Sequence, residues 1–293
     1  TACGSSSSTT ETTKAAETTA AAAADTTAAA AADNGSSDAE TVLQVAFENS
    51  ISEPVGQGWE KAQEIIKEKS GGKMAIEIYP DSQLGDKSSL IDSMLLGENV
   101  CTLADGAFYA DYGVPDFGIV FGPFLFDSWD QVWKLVDSDW YKEQCSKLAD
   151  KGLTVLGSNW VYGERELMTK DKAVVPADIK GKKIRLANSQ IYVEGFNALG
   201  ATAVPMALGD VYTALQNGTL DGVENPLSTL YGQSFQEVTK NILMTGHILN
   251  FTTWCIGTDY LNTLTQEQQD LLFKTCEEAG LYNNEKQEAA NDD

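Results

Sequence analysis

Short apolar runs alternate with amphipathic segments along residues 41–104, and the two kinds of segment have the periods of strands and helices. The predicted elements are, in chain order, residues 42–47 (strand), 54–69 (helix), 74–79 (strand), 87–96 (helix) and 100–104 (strand). Pro54 is a typical first residue of a helix, and Gly97 is a typical stop. Strands and helices that alternate at this pace predict an α/β fold with a parallel-rich sheet covered by helices.

The same pattern begins again in the second half of the chain. The predicted elements there are residues 153–156 (strand), 184–186 (strand), 190–199 (helix), 203–205 (strand), 209–216 (helix) and 220–223 (strand). Two α/β units in one chain suggest two lobes. Open α/β sheets bind ligands at the carboxyl ends of their strands, so we expect a cleft there.

The first forty residues have a different composition, dominated by Ser, Thr and Ala, with the octapeptide TTAAAAAD at residues 18–25 and again at 26–33. Large apolar side chains are almost absent, so burial cannot offset the entropy of ordering, and we expect a disordered tether over residues 1–40. Thr1-Ala2-Cys3-Gly4 resembles the end of a bacterial lipoprotein signal. That resemblance implies a lipid on Cys3 and attachment to the outer face of the cell membrane.

Charge and composition exclude several function classes. The chain carries 43 acidic and 20 basic residues, a formal net charge of −23, which repels nucleic acid and anionic lipid. No apolar run reaches the ~18–20 residues of a membrane-spanning helix. His247 is the only histidine and has no cysteine at metal-ligand spacing, so we expect no metal site, and no cofactor motif is present.

The cysteines beyond Cys3 lie in apolar runs and never as C-x-x-C; they are Cys101, Cys145, Cys255 and Cys276. In an exported protein these cysteines could form disulfides. Buried free thiols are the interpretation that the apolar surroundings favour.

Four stretches together resemble the solute-binding proteins of tripartite ATP-independent periplasmic (TRAP) transporters, of the DctP type. They are EKSGGK with IYP and QLG at residues 68–85, GPFLF at 122–126, IKGKKIR at 179–185, and GA, PM, DVYTALQNG and DGVENP between residues 200 and 226. The resemblance extends from about residue 42 to the end of the chain. It implies a two-lobed, periplasmic-binding-protein-like fold around a cleft, crossed by strands and a long helix.

The resemblance also implies a division of the chain. After the tether of residues 1–40, lobe I takes residues 41–162, lobe II takes 163–250, and residues 251–293 return to lobe I. Chains of this family continue beyond the helix that begins near Gln266, whereas this sequence stops at Asp293. We therefore expect a fragment or a small second lobe.

Four site residues follow from the resemblance. The family's carboxylate-binding arginine, in the strand after the Lys-Gly-Lys turn, matches Arg185, and a second arginine matches Arg165. Asn225 of the Glu-Asn-Pro motif and Asn49 in the first strand-to-helix loop match ligand-facing positions. A planar guanidinium suits a carboxylate because it offers two parallel N–H donors. Arg165 alone has acidic neighbours, Glu164 and Glu166, that could pair with it instead.

Other candidates give the cleft its shape. Phe108, Trp160 and Tyr162 lie beside predicted strand ends, where rings could stack on a sugar or pack in a core, and Asp105 could accept hydroxyl hydrogen bonds. The stretch at residues 243–250 is nearer to sugar-acid and sialic-acid binders than to dicarboxylate binders. The sialic-acid type carries an arginine where Phe108 stands, so a sugar acid is favoured.

The expected function is a monomeric solute-binding protein that captures a small organic acid by an Arg–carboxylate clamp and delivers it to an ion-coupled TRAP permease. No catalysis is expected, because no nucleophile motif or P-loop is present. A ligand-sensing receptor with the same cleft remains an alternative. A hydrolase that uses paired carboxylates and a tethered structural lipoprotein also remain open.

Overall fold

Strands and helices alternate along residues 38–292, the part of the chain that the computed structural model describes. The predicted tether and the predicted lipidation of Cys3 lie outside this part. The nine strands within it are β1 (Thr41–Ala46), β2 (Met74–Tyr79), β3 (Cys101–Ala104), β4 (Leu153–Thr169), β5 (Lys183–Leu186), β6 (Thr202–Pro205), β7 (Gly222–Pro226), β8 (Asn241–Leu243) and β9 (Leu249–Gly257).

The helices cover both halves of the strand system. In the described residues they are α1 (Pro54–Lys69), α2 (Lys87–Leu95), α3 (Gly106–Asp111), α4 (Trp129–Val136), α5 (Asp139–Ala149), α6 (Gln190–Ala198), α7 (Val211–Gln216), α8 (Leu227–Gly232), α9 (Thr258–Leu261) and α10 (Gln266–Asp292). Short 3-10 turns occupy Pro115–Phe121, Pro176–Ile179, Leu208–Asp210 and Phe235–Glu237.

The strand order is β2-β1-β3-β9-β4-β7-β5-β6, with β8 paired to β4. β1 is parallel to β2 and β3, and β5 is parallel to β6 and β7. β9 and β4 run antiparallel between these two groups and join them. β4 is a single strand across the expected lobe boundary at residue 162, so the two lobes share it.

An indole cluster forms the centre of the core beside α1 and α10. Trp59 stacks on Trp160 with ring centroids 5.8 Å apart, and the edge of Trp254 meets both rings. All three side chains have no solvent exposure. Gly58 is required beside them, since an added Cβ would lie 2.5 Å from the Trp160 ring. Trp160 is therefore a core residue. The expectation that its ring faces the ligand is corrected, because α1 and α10 cover it.

Local periodicity predicted the first half well. β1, α1, β2, α2 and β3 begin and end within one or two residues of the predicted bounds. The prediction of a strand at residues 153–156 captured only the start of β4, and β9, α4 and α5 were not predicted.

No helix among residues 38–292 has the length and apolar character to cross a bilayer.

The cysteines of the described part of the chain are free thiols. Cys101, Cys255 and Cys276 are buried and Cys145 is half-buried, as the apolar surroundings indicated. Burial raises the pKa of the Cys145 thiol to about 11 and that of Cys255 to about 12, so these thiols remain protonated at neutral pH.

Candidate functional site: a charged cleft

The carboxyl ends of strands from both halves converge on one cleft. Its walls are formed by the residues that follow β1, β3, β5 and β6, by β4, β7 and β9 where they cross, and by the first turn of α2. The lining residues are Glu48, Asn49, Asp86, Lys87, Ser88, Leu103, Asp105, Phe108, Tyr162, Arg165, Arg185, Ala187, Asn188, Met206, Ala207, Leu208, Asn225 and Thr252. A larger apolar groove beside Phe124 and His247, about 320 Å³ in volume, has no Asp, Glu, Lys or Arg in its lining. The charged cleft is therefore the candidate site for an organic acid.

Arg185 presents a guanidinium that a backbone carbonyl holds in place within the described part of the chain. Its Nε and Nη2 donate to the carbonyl oxygen of Met206, at 2.9 and 2.6 Å, which fixes the plane of the group. The side chain is buried, yet it forms no ion pair with the described residues. Burial lowers its pKa, and the nearby Glu48 opposes that effect. Nη1 has no hydrogen-bond partner among the described residues, and Arg185 is part of the cleft lining.

Arg165 is neutralised within the protein. Its Nε and Nη2 lie 2.5 and 2.7 Å from the two carboxylate oxygens of Glu224, and its Nη1 donates to Asn250 Oδ1 at 2.8 Å. The partner is thus neither of the sequence neighbours, Glu164 and Glu166. Arg165 and Glu224 are diagonal neighbours on the antiparallel β4–β7 pair, which brings their side chains together.

His247 completes this buried group. Its Nε2 lies 3.2 Å from Glu224 Oε2, and its Nδ1 lies 2.7 Å from the Thr245 hydroxyl. Burial alone would raise the pKa of Glu224. The charge of Arg165 and the contact with His247 more than offset burial, and the pKa is lowered to about 2. Glu224 is therefore ionised, and Arg165 remains charged beside it.

Lys87 is a second cation of the cleft lining, and it was not predicted from the sequence. It is the first residue of α2, after Asp86, whose carboxylate caps the helix by accepting from Ser89 N at 2.8 Å. Its Nζ lies 4.4 Å from the ring centroid of Phe108 and forms no ion pair among the described residues. Burial lowers the pKa of Lys87, and the nearby Glu48 and Asp105 oppose this.

Two carboxylates line the same cleft as these cations. Glu48 accepts from Leu208 N at 2.8 Å with Oε1, a contact that joins the β1 end to the β6 end. Asp105 caps α3 by accepting from Ala107 N at 3.0 Å. Burial raises the pKa of Asp105, and Lys87 and Arg165 oppose that rise. Glu48 was missed from sequence, although it precedes the predicted Asn49.

Two amides and a phenol add uncharged polar groups. Asn225 is buried, and its Oδ1 has no hydrogen-bond partner among the described residues. Asn49 donates from Nδ2 to Glu53 Oε2 at 2.6 Å and to Tyr162 OH at 2.9 Å. Tyr162 thus lines the cleft, but its hydroxyl oxygen accepts a hydrogen bond from Asn49. A buried acceptor without a donor, such as Asn225 Oδ1, is costly unless a bound molecule supplies one.

The structure places seven of the eight sequence-predicted binding residues in the cleft lining; they are Arg185, Arg165, Asn225, Asn49, Asp105, Tyr162 and Phe108. Trp160 is absent from the lining. The charged residues of the lining that were not predicted from the sequence are Glu48, Asp86 and Lys87. Their only sequence signal is their position at a strand end and at a helix start.

Similar proteins of known family and structure are solute-binding proteins, in agreement with a binding cleft. The family model described as bacterial extracellular solute-binding protein, family 7 (DctP), matches residues 45–293. The C4-dicarboxylate-binding periplasmic protein DctP of Rhodobacter capsulatus is 29% identical over 249 residues, which cover 78% of this chain and 74% of that protein.

Solved structures resemble the fold closely. A TRAP periplasmic solute-binding protein from Ochrobacterium anthropi, with bound L-fuconate, superposes with a TM-score of 0.83 at 37% identity, covering 86% of this chain and 84% of that one. Another, from Actinobacillus succinogenes 130Z with bound L-galactonate, has a TM-score of 0.81 at 33% identity and covers 86% and 85%.

Proposed function

This chain belongs to bacterial extracellular solute-binding protein family 7, and from that premise we propose that its cleft captures a sugar acid and delivers it to an ion-coupled TRAP permease. Proteins of this family bind small acids for transporters and are not enzymes. The identity of the acid, the residues that hold it and the delivery step are the proposal.

One observation carries the choice of ligand class: unpaired cations lie beside buried acceptors in the same cleft. Arg185 and Lys87 have no carboxylate partner among the described residues. Asn225 Oδ1 lacks a donor among the described residues, and the carboxylates of Glu48 and Asp105 in the same lining have further acceptor capacity. A sugar acid satisfies both, because its carboxylate meets the cations and its hydroxyls donate to the acceptors.

The charge balance favours one ligand carboxylate over two. Arg165 is already paired with Glu224, and the carboxylates of Glu48 and Asp105 lie in the same cleft lining as the unpaired Arg185 and Lys87. A dicarboxylate would place its second charge near Glu48 or Asp105, and one without hydroxyls, such as succinate, would bring no hydroxyl donor. The bound L-fuconate and L-galactonate of the two similar structures support this preference.

Arg185 holds the ligand carboxylate in this proposal. The Nε side of its guanidinium is occupied by Met206, so the carboxylate binds end-on, to the remaining hydrogens of Nη1 and Nη2. Lys87, in the same cleft lining, adds a second positive charge. Arg165 contributes to the site indirectly in this proposal, since Glu224 and Asn250 accept hydrogen bonds from most of its donors.

A thermal-shift panel tests the ligand class. L-Fuconate, L-galactonate, D-galactonate and a uronic acid are compared with succinate and with the uncharged galactitol. A ligand at about a hundred times its dissociation constant should stabilise the fold by roughly 2.7 kcal/mol. Stabilisation by succinate alone would contradict the sugar-acid proposal, and no shift with any acid would contradict the binding of organic acids.

Arg185→Ala tests the clamp by titration calorimetry with the acid that the panel identifies. Leaving the ligand carboxylate unpaired should cost roughly 2–5 kcal/mol, a 30-fold to few-thousand-fold loss of affinity. Arg185→Lys keeps the charge but not the planar pair of donors, so we expect an intermediate loss. Lys180→Ala, at an exposed position, is the control. Binding by Arg185→Ala within threefold of the wild type would refute the clamp.

The remaining parts of the proposal concern location. We propose an extracytoplasmic protein, held at the membrane by a lipid on Cys3, monomeric, with lobes at residues 41–162 and 163–250 and a return segment at 251–293. Mass spectrometry of native material tests the lipid: an unmodified Cys3 thiol would end that part of the proposal. Light scattering tests the monomer.

A further inference from the structure

Glu53 is a buried acid that lies behind the cleft and does not line it. It precedes α1, is 3% exposed, and touches residues of the β1–α1 loop and of α8. Its Oε2 lies 2.6 Å from Asn49 Nδ2 and 2.9 Å from Thr229 Oγ1. Its Oε1 accepts from Gln233 Nε2 at 2.9 Å and from Ser50 N at 3.0 Å.

The surroundings of Glu53 fit the carboxylate form. Gln233 Nε2, Ser50 N and Asn49 Nδ2 can only donate, and the Thr229 hydroxyl can turn either way. A protonated Glu53 needs an acceptor for its own hydrogen. Thr229 provides one by reversing its hydroxyl, and Asn49 provides one by rotating its amide so that Oδ1 faces Glu53.

The same contacts decide which atom Asn49 presents to the cleft. Both hydrogens of its Nδ2 are engaged, one by Glu53 and one by Tyr162 OH. Oδ1 has no partner among the described residues and is the end of the amide left for the cleft. With Glu53 ionised, Asn49 is therefore an acceptor for a ligand hydroxyl. Rotation of the amide would turn it into a donor.

The space around the carboxyl group allows little displacement. A Cβ added at Gly232 of α8 would lie 2.5 Å from Glu53 Cγ. Tyr162 is the one titratable group in the hydrogen-bond cluster around Glu53 within the described residues. Burial and the proximity of Glu53 raise its pKa to about 12, so it remains neutral. No Lys or Arg pairs with Glu53 among the described residues.

We propose that Glu53 is a positioning residue for the ligand: its carboxylate fixes the Asn49 amide as an acceptor, and ligand affinity therefore depends on the charge of Glu53. Burial raises the pKa of Glu53 to about 7, against 4.5 for an ordinary glutamate, so this charge changes near neutral pH. The inference rests on the proposed function, because it concerns the same cleft.

Affinity measured against pH is the first test, by titration with L-galactonate or L-fuconate, whichever the wild type binds. Both remain ionised between about pH 6 and about pH 8.5, since a carboxylic acid of this kind titrates near ~3.5. Wild-type affinity should fall about tenfold from about pH 8.5 to about pH 6 as the Asn49 contact is lost. Glu53→Gln should bind weakly at both pH values, because an amide nitrogen would face donors.

Two matched variants keep this test specific. Glu60→Gln makes the same change at an exposed position of α1, the helix that Glu53 precedes, and should retain the wild-type pH dependence. Gly232→Ala displaces the carboxyl group without removing it, so it should weaken binding and still leave a pH-dependent affinity.

Side-chain amide NMR of Asn49 is the second test and needs no ligand. The Nδ2 signals should move with pH, with a midpoint near 7, in the wild type and not in Glu53→Gln. Binding of no acid by the wild type would contradict the proposed function, while the NMR titration would still decide the role of Glu53. An Asn49 signal that does not titrate, or the same pH-dependent affinity in Glu53→Gln, would overturn the inference. So would a wild-type affinity that rises on acidification, since Glu53 would then act only by repelling the ligand.

Discussion

Two arginines lie in one cleft, and their neighbours give them different roles. Arg165 is held by Glu224, Asn250 and the β4–β7 pairing, and Glu224 neutralises its charge within the protein. Arg185 is held by a neutral carbonyl, that of Met206, and its charge is available. A guanidinium that is positioned without being neutralised is the better carboxylate receptor, because the protein has already met the entropy cost of placing it.

Removal of the Glu224 charge should destabilise the protein through Arg165. Glu224→Gln leaves a buried guanidinium without its counter-charge, and we expect a loss of roughly 3–5 kcal/mol in the free energy of unfolding. Denaturant unfolding measures it. Glu164→Gln, at an exposed position on the same strand, is the control. Equal stability of the two variants would show that Arg165 does not depend on Glu224.

Glu53 should give the stability of the ligand-free protein a characteristic pH dependence. Its pKa is raised from 4.5 to about 7 in the fold, so the folded protein binds this proton more tightly than the unfolded chain does. The stabilising contribution is complete below about pH 4.5 and is lost as the pH rises through about 7. Relative to Glu53→Gln, the wild type should lose about 3 kcal/mol over that range. Denaturant unfolding at a series of pH values measures it, with Glu60→Gln as the control, and parallel profiles of wild type and Glu53→Gln would contradict it.

At the scale of elements, β4 depends on α10 where its ladder with β9 is irregular. The register of the β4–β9 pair shifts near Gly157, Trp160 and Val161. Backbone groups there are satisfied by side chains of α10: Asn284 accepts from Val161 N at 2.7 Å and donates to Asn159 O at 2.8 Å. The helix and the strand that both halves share are therefore joined by hydrogen bonds as well as by packing.

Asn284→Ala should cost about 1–3 kcal/mol in the free energy of unfolding, because Val161 N loses its acceptor in a partly buried place. Chemical denaturation measures the loss. Glu288→Ala, on the exposed side of α10, should change the stability by less than about 0.5 kcal/mol. If the two variants unfold at the same denaturant concentration, the hydrogen bonds of Asn284 do not hold β4.

At the scale of the whole molecule, an anionic ligand approaches a chain with a formal net charge of −23. The positive groups of the cleft act at short range, whereas the surface charge acts over a Debye length that is long at low salt. Repulsion should therefore slow association when the salt concentration is low.

We expect the association rate constant of the identified sugar acid to rise severalfold as salt screens this repulsion, from ~0.02 M to ~0.5 M. Stopped-flow tryptophan fluorescence measures the rate. The dissociation rate constant serves as the internal control and should change less. An association rate that falls with salt would show instead that the local field of Arg185 and Lys87 dominates the approach.

The sequence by itself determined the α/β architecture of the first half, the family and most of the cleft. Apolar periodicity reports burial within one helix or strand, so β1, α1, β2, α2 and β3 were predictable. Motif position likewise placed Arg185, Asn225 and Asn49 at strand ends that meet in one cleft. For these residues, local sequence was sufficient.

Only the tertiary structure decided which polar groups neutralise one another and which are left for a ligand. Arg165 pairs with Glu224, 59 positions away, and Glu53 bonds to Thr229, 176 positions away. Trp160 has the sequence context of a ligand-facing ring, yet α1 and α10 enclose it. Contacts of this kind depend on how distant elements cross, because the energy of a buried charge is set by neighbours in space and not by neighbours along the chain.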